Sequence, residues 1–280
     1  MDWRPNVRAK DAWGLILIMV VSGCTPTPAE PPKTQVAFSP QSFERVSSDC
    51  DSAGPCARIR IGYPDITSAP TPAVRESLQA YILEFVLRRT DDSLRAPSVD
   101  AVMQDFLDSF ETFRRDFPDA GQAWEVDRQV AILPSLEGIC SIEARVFENT
   151  GGAHPNTSIR LASFDTRNGK RLALADLLVP GYETRLSQLA ETAFRSARSL
   201  PPDSSFGESG FWFDGGRFRL PPGFAVTTDG LRFYFNPYEI APYALGPTDL
   251  LVPFTQLEAM IRPDGPLAEK VGKTAVKKPA

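Results

Sequence analysis

Cys24 is the first residue of the sequence whose neighbours indicate a specific chemical reaction. It follows the small residues Ser22 and Gly23, and an apolar stretch over residues 12–21 precedes them. The head of the chain is basic, and the apolar stretch is too short to span a bilayer. This is the layout of a bacterial lipoprotein signal, in which the thiol of Cys24 receives a diacylglycerol and cleavage makes Cys24 the new N-terminus. The alternative is an ordinary signal peptide with an incidental cysteine.

Lipidation at Cys24, with acyl chains such as palmitate, would fasten the protein to a membrane without a protein span. Each buried lipid methylene contributes about 0.8 kcal/mol to such binding. The signal peptide covers residues 1–23, and residues 24–54 form a proline-rich tether and entry segment. We therefore predict a cell-envelope lipoprotein that faces the periplasm. Thr25 after the cysteine favours the outer membrane, by analogy with Gram-negative sorting.

His154 is the only histidine of the chain, and it lies in an unusual loop between two predicted strands. Paired glycines in this loop permit positive φ angles, and the following proline favours an extended conformation at His154. The imidazole is thereby presented in a rigid, exposed frame, although a lone histidine is more often structural than catalytic. The candidate ligand-binding residues of this loop are Thr150, Gly151, Gly152, His154, Pro155 and Asn156.

A second unusual segment spans residues 236–247 and has a proline at every fifth position. It can therefore be neither a helix nor a central strand. Its two tyrosines are stiff and amphipathic, which suits them to recognition. A rigid corner whose tyrosines pack inward is the alternative, and the local chemistry leaves both readings open. The candidate ligand-binding residues here are Asn236, Pro237, Tyr238, Glu239 and Tyr243.

The charges and motifs of the chain exclude several classes of function. The net charge is −5, of which residues 1–23 hold +1 and residues 262–280 hold +3, so the residues between carry −9. This acidic body disfavours nucleic acid and favours a cationic partner, although solubility alone would also explain it. One histidine cannot build a catalytic zinc site, and G-x-S-x-G, H-E-x-x-H and P-loop motifs do not occur. We expect no metal, no cofactor and no catalysis.

Three further cysteines should pair in an oxidising envelope where geometry allows. Cys50 and Cys56 flank a Gly-Pro turn that can bring their side chains together, so we favour a disulfide between them. Cys140 lies in a strand pattern and would then be a buried free thiol. Pairing of Cys140 with either of the other two remains open.

The periodicity of apolar residues predicts helices and strands without a repeating strand–helix rhythm. Thr71 before a proline and Ser98 start two helices, and Asp229-Gly230 marks a hairpin. We predict an α+β fold with mainly antiparallel sheets and three or four helices packed on them. The second helix should place one stripe of core residues against a sheet, namely Val102, Phe106, Phe110, Phe113 and Phe117.

The predicted globular region can be divided into two subdomains near Asn149. Residues 55–149 would form an N-terminal α+β subdomain, and residues 150–261 would form a second one. Residues 262–280 are expected to be a solvated basic tail.

The runs Thr150–Pro155 and Phe233–Tyr243, with Leu174-Ala-Asp-Leu177 between them, resemble one extracytoplasmic module. They are similar to the C-terminal domain of RsiV anti-sigma factors and PdaC peptidoglycan deacetylases. The run Ile59–Pro64 resembles the domain that usually precedes it. In RsiV-like proteins this region binds lysozyme, and in PdaC-like proteins a separate domain performs deacetylation. The resemblance implies a binding or sensor protein for a lysozyme-like protein or a peptidoglycan fragment.

Two other functions stay open from the sequence. A glycan hydrolase could use His154 or Glu239 as general acid or base, but the sequence offers no marked pair of carboxylates. A purely structural envelope lipoprotein would use both unusual segments only to brace its fold. The position of the two loops discriminates between these readings, because recognition requires them to meet on an exposed surface.

Overall fold

The computed structural model describes residues 35–48, 50, 55–89 and 95–268. The predicted signal peptide, Cys24, residues 24–34 of the predicted tether and the tail beyond residue 268 lie outside the described residues. Residues 35–48 of the predicted tether and entry segment are described, and they contain a strand at Ala37–Val46 instead of only an extended tether. Within the described part, no helix combines the length and the apolar character that a membrane span requires.

Five strands form one sheet in the order of the sequence. Neighbouring strands are antiparallel except β2 and β3, which are parallel. A parallel pair needs a long crossover, and two helices supply it here. The strands are β1 (Ala37–Val46), β2 (Ala57–Ser68), β3 (Trp124–Leu133), β4 (Ile139–Asn149) and β5 (Asn156–Asp165).

The two crossover helices, α1 (Pro72–Val86) and α2 (Val99–Asp116), begin where the sequence predicts. The hydroxyl of Thr71 accepts a hydrogen bond from the backbone N–H of Val74, and Ser98 caps α2 in the same way. These caps satisfy N–H groups that have no partner inside a helix.

The aromatic stripe of α2 is shorter than we predicted. Phe106 and Phe110 are fully buried, and their rings pack near that of Trp124. Phe117 is instead 58% exposed, because α2 ends at Asp116 and Phe117 occupies the C-cap. The prediction that Phe117 belongs to the core stripe was wrong.

A second, three-stranded antiparallel sheet is built from the C-terminal half of the chain. It contains β6 (Phe224–Val226), β7 (Gly230–Phe235) and β8 (Thr248–Pro253). Helix α4 (Tyr182–Ala197) packs on it, and α3 (Leu174–Leu177) and α5 (Phe254–Leu257) each have one turn. The predicted hairpin turn joins β6 to β7.

Buried serines join the two sheets. The hydroxyl of Ser141 on β4 donates to the carbonyl of Val226 at 2.7 Å, and the N–H of Val226 donates to the hydroxyl of Ser163 at 2.8 Å. Both serines are almost completely buried. Because buried polar groups need partners, these bonds fix the position of β6 across β4 and β5.

The predicted α+β class with mainly antiparallel sheets is confirmed. Sheet pairing continues across Asn149, since β5 follows this residue and pairs with β4. The division into subdomains at residue 149 stays a prediction.

A disulfide joins Cys50 to Cys56, and Cys140 is a buried free thiol. Burial raises the pKa of Cys140 to about 12. The thiolate, which is the reactive form, is therefore scarce at neutral pH.

We expect Cys140 to resist iodoacetamide at pH 8 in the folded protein. An ordinary thiol with a pKa near 8.5 is partly ionised there, whereas a pKa of about 12 lowers the thiolate fraction by roughly 10³-fold. Mass spectrometry of the peptide that contains Cys140 should find labelling only after unfolding. Rapid labelling of the native chain would contradict this burial.

Candidate functional site

The two segments marked by the sequence meet in the structure. His154 lies in the loop between β4 and β5, and Tyr238 and Tyr243 lie in the segment that follows β7. The imidazole stacks on the ring of Tyr243, with centroids 3.6 Å apart and an interplanar angle of 14°. The ring of Tyr238 lies 5.9 Å from each of the other two. The three rings therefore form one cluster from two distant parts of the chain.

Both nitrogens of His154 have partners. Nδ1 lies 3.0 Å from the carbonyl oxygen of Pro155, and Nε2 lies 2.8 Å from the hydroxyl of Tyr238. A carbonyl can only accept, so Nδ1 carries the proton in the neutral imidazole. Nε2 then accepts from the Tyr238 hydroxyl. The histidine is thus held by its own loop on one side and by the tyrosine segment on the other.

Tyr238 is 55% exposed and adopts a left-handed backbone conformation, with φ of 66°. This conformation disfavours bulky side chains and costs on the order of 1–3 kcal/mol at a residue other than glycine. It occurs in a tight turn in which the N–H of Glu239 donates to the carbonyl of Asn236 at 3.1 Å. The turn keeps a tyrosine at a position that glycine usually occupies, and it directs that ring towards solvent and His154.

Asn236 anchors this turn to the first sheet. Its side-chain oxygen accepts from the N–H of Ile159 at 2.6 Å, and its side-chain nitrogen donates to the carbonyl of Ile159 at 3.1 Å. The amide thereby pairs with the free edge of β5 as another strand would. Asn236 was predicted as a ligand contact, and the structure gives it a positioning role beneath the tyrosines.

Replacing Asn236 with alanine should lower the free energy of unfolding by about 1–3 kcal/mol, because it leaves both backbone groups of Ile159 without their partners. Urea unfolding followed by circular dichroism measures this change. Asn156→Ala is a matched control, since Asn156 is exposed at the start of β5. Equal stabilities of the two variants would contradict the anchoring role.

Glu239 serves the same turn. Its carboxylate accepts from the backbone N–H of Asn236 at 2.8 Å, and the described hydrogen bonds do not connect it with His154. The partner of the histidine Nε2 is a tyrosine hydroxyl rather than a carboxylate. Among the described residues, no cluster of three or more His, Cys, Asp or Glu side chains could hold a metal ion.

Trp212 adds a residue that the sequence analysis missed. Its side chain is 50% exposed. The indole N–H donates to the carbonyl of Glu239 at 3.3 Å, and the backbone N–H donates to the carbonyl of Ile240 at 2.9 Å. Exposed Leu245 lies beside the segment that carries Trp212, because a Cβ on Gly210 would be 3.1 Å from the Leu245 side chain. We call these side chains together the aromatic surface; it comprises exposed Trp212, Tyr238 and Leu245 with half-buried His154 and Tyr243.

Gly151 of the His154 loop serves the fold rather than the aromatic surface. Gly151 has a φ of 87°, and a Cβ there would lie 2.5 Å from the side-chain oxygen of Gln122 and 3.3 Å from the indole nitrogen of Trp124. The loop therefore packs on the start of β3 at this point. The described contacts do not bring Thr150, Gly152 or Asn156 to the tyrosines.

Two protein-family models match the chain, one after the other. The model described as "Deacetylase PdaC" matches residues 51–157, and "Protein of unknown function (DUF3298)" matches residues 175–255. Immunogenic protein MPT64 of Mycobacterium tuberculosis and MPB64 of Mycobacterium bovis are each 29% identical over 140 residues. The match covers 48% of this chain and 56% of each relative, so the chain spans about half the length of these curated relatives.

Two crystal structures share the fold. A DUF3298 family protein from Pseudomonas aeruginosa has a TM-score of 0.64 at 23% identity, covering 83% of this chain and 97% of the other. A member from Bacteroides fragilis has a TM-score of 0.66 at 17% identity, covering 86% and 99%. At these identities the likeness concerns the fold alone. The two family models confirm the resemblance predicted from the sequence: a region that matches the PdaC model is followed by one that matches the DUF3298 model, and the fold is that of DUF3298 structures.

Proposed function

We propose that the chain is a lipid-anchored protein of the cell envelope that binds a cationic, lysozyme-like protein through the aromatic surface. The observation that carries the proposal is the convergence of His154, Tyr238 and Tyr243 in one cluster of rings, in which Tyr238 is exposed and the other two side chains are half-buried. Partly exposed aromatic rings that are held rigidly contribute strongly to binding, because little conformational entropy is lost.

The rigidity of the aromatic surface supports recognition over a purely structural role. Asn236 fixes the turn on β5, Trp212 is bonded to the turn through its backbone and its indole, and Arg198 donates to the carbonyls of Leu245 and Pro247. The left-handed backbone conformation of Tyr238 is energetically costly, yet it leaves the ring more than half exposed. This conformation therefore does not serve core packing.

The charge of the chain supports a cationic partner. Residues 24–261 carry a net charge of −9. A protein with this charge attracts cationic proteins over distances of about the Debye length, which is about 8 Å at 0.15 M salt. The predicted anchor at Cys24 and the proline-rich tether would hold the binding surface just outside a membrane.

A binding role also fits the chemistry of the site better than catalysis. A lone histidine bonded to a tyrosine and a glutamate that caps a turn do not make an acid–base pair. The model described as a deacetylase matches residues 51–157, and we infer no deacetylation for this chain.

Titration calorimetry of the purified full-length chain with lysozyme tests the proposal. We expect a Kd of about 10 µM or tighter at roughly 50 mM salt, weakening by about fivefold or more at roughly 300 mM. Cytochrome c, which is also small and cationic, controls for charge alone and should bind much more weakly. Co-sedimentation with insoluble peptidoglycan tests the other ligand. Binding to peptidoglycan alone would replace the proposed partner, and binding to neither would refute a recognition role.

A further inference from the structure

A cleft lies beside the aromatic surface. It is bounded by Tyr81 and Glu84 of α1, by residues 159–161 of β5, and by Pro221–Gly223 with Tyr234 on the other side. Its volume is about 290 Å³, and a second cleft of about 340 Å³ shares Leu161, Arg171, Pro222 and Gly223 with it. This is the lower range of volumes of small-molecule sites.

The wall formed by Pro221, Pro222 and Gly223 is rigid and closely packed. A Cβ on Gly223 would lie 2.9 Å from the carbonyl oxygen of Leu161, so only glycine lets this segment pass so near β5. The two prolines restrict the backbone before it. The shape of the cleft is therefore set by the fold before any ligand enters.

Two guanidinium groups line the cleft and have no salt bridge to any carboxylate among the described residues. They belong to Arg160 on β5 and Arg171. The Arg171 guanidinium lies 5.4 Å from the centre of the Tyr81 ring. Burial raises the pKa of Tyr81, and the charges of Arg171 and Arg160 partly oppose that rise, which is consistent with both cations lying near its hydroxyl.

Arg232 is an arginine whose charge is paired within the chain, in contrast to the two that line the cleft. Arg232 bonds to Glu143 at 2.6 Å and to Asp249 at 2.8 Å, and both contacts satisfy its charge within the chain. Arg160 and Arg171 lack such partners, although they face a preformed space. A planar guanidinium is well suited to bind a carboxylate through two parallel hydrogen bonds.

The other groups that line the cleft suit a ring that carries hydroxyls, such as a sugar. Tyr81, with Arg171 over its ring, and Tyr234 supply aromatic rings and hydroxyls. The carboxylates of Glu84 and Glu239 are acceptors for sugar hydroxyls, and Glu239 keeps one oxygen for this because the other accepts from Asn236. A ligand that offers only a negative charge would be repelled by the two carboxylates of the cleft. A ligand with one carboxylate and several hydroxyls can pair its carboxylate with the guanidinium groups and donate its hydroxyls to the carboxylates.

We propose that this cleft binds a saccharide that carries a carboxylate, with Arg160 and Arg171 holding the carboxylate and the tyrosines contacting the ring. The site is distinct from the aromatic surface, and it does not require that a protein partner binds there. None of the five residues of the aromatic surface lines the cleft, whereas Asn236 and Glu239, from the turn that carries Tyr238, do line it.

NMR titration of the full-length chain with three small probes tests this site. Glucuronic acid should bind with a Kd of about a few millimolar. Glucose, which lacks the carboxylate, and acetate, which lacks the ring, should each bind about tenfold more weakly or not at all. Acetate binding as tightly as glucuronic acid would reveal a simple anion site and overturn the proposal, as would equal binding of glucose.

Matched variants locate the binding. Arg171→Gln and Arg160→Gln should each weaken glucuronic acid binding by about tenfold, because each removes a charged hydrogen-bond donor. Arg185→Gln is the control, since Arg185 is exposed on α4 and does not line the cleft. All three side chains are on the surface, so thermal melting should show an intact fold. Unchanged binding in the first two variants, or the same loss in the third, would overturn the assignment.

Discussion

Replacing Phe194 with alanine should lower the free energy of unfolding by about 3–5 kcal/mol, the usual cost of removing a buried phenylalanine ring. Phe194 lies on α4 and is completely buried. Its ring centroid lies 5.0–5.8 Å from five other phenylalanine rings, those of Phe206, Phe211, Phe213, Phe218 and Phe235. Their edge-to-face and tilted packing adds to the loss of buried area, because aromatic pairs favour these geometries.

This change should also affect the aromatic surface. Phe211 and Phe213 flank Trp212, so the phenylalanine cluster holds the backbone that presents the tryptophan. Urea unfolding monitored by tryptophan fluorescence measures the stability. Phe117→Ala is the control, since Phe117 is exposed and should cost about 1 kcal/mol or less. A loss below about 1.5 kcal/mol for Phe194→Ala would contradict its central place in the core.

Replacing both Tyr238 and Tyr243 with alanine should weaken lysozyme binding by about 100-fold, equivalent to about 3 kcal/mol. The double variant removes two rings of the aromatic surface, and it deprives the His154 imidazole of its stacking partner and of the hydrogen bond at Nε2. The same titration calorimetry at low salt measures the effect.

Leu251→Ala provides the matched control for this binding experiment. Leu251 is an exposed apolar residue of β8 and is not part of the aromatic surface. Its removal should change the affinity by less than about twofold, as most contacts outside a hot spot do. If the tyrosine double variant lost less than about fivefold, or if Leu251→Ala lost as much, the aromatic surface would not be the binding site.

Local signals allowed much of the fold to be predicted. The caps at Thr71 and Ser98 and the turn at Asp229-Gly230 depend on residues within four positions, so the sequence shows them directly. Phe117 was misassigned for a related reason: its spacing continues the stripe of α2, but the helix ends one residue before it.

The assembly of the site could not be predicted, because it depends on distant contacts. The bonds of Asn236 to Ile159 join residues 77 positions apart, and the bond of Ser141 to Val226 joins residues 85 positions apart. The bond between His154 and Tyr238 is of the same kind, since it joins residues 84 positions apart. Trp212 could not be assigned to the site for the same reason, because its bonds to Glu239 and Ile240 join segments about 27 positions apart.

Hydrogen–deuterium exchange of the full-length chain, with and without saturating lysozyme, tests the central claim most directly. If the two converging segments form one binding surface, backbone amides of residues 150–156, 210–213 and 236–246 should exchange more slowly in the complex. Strand β1, which carries the exposed aromatic residues Phe38 and Phe43, should be unchanged. Protection confined to β1, or to any region that excludes both segments, would contradict the account.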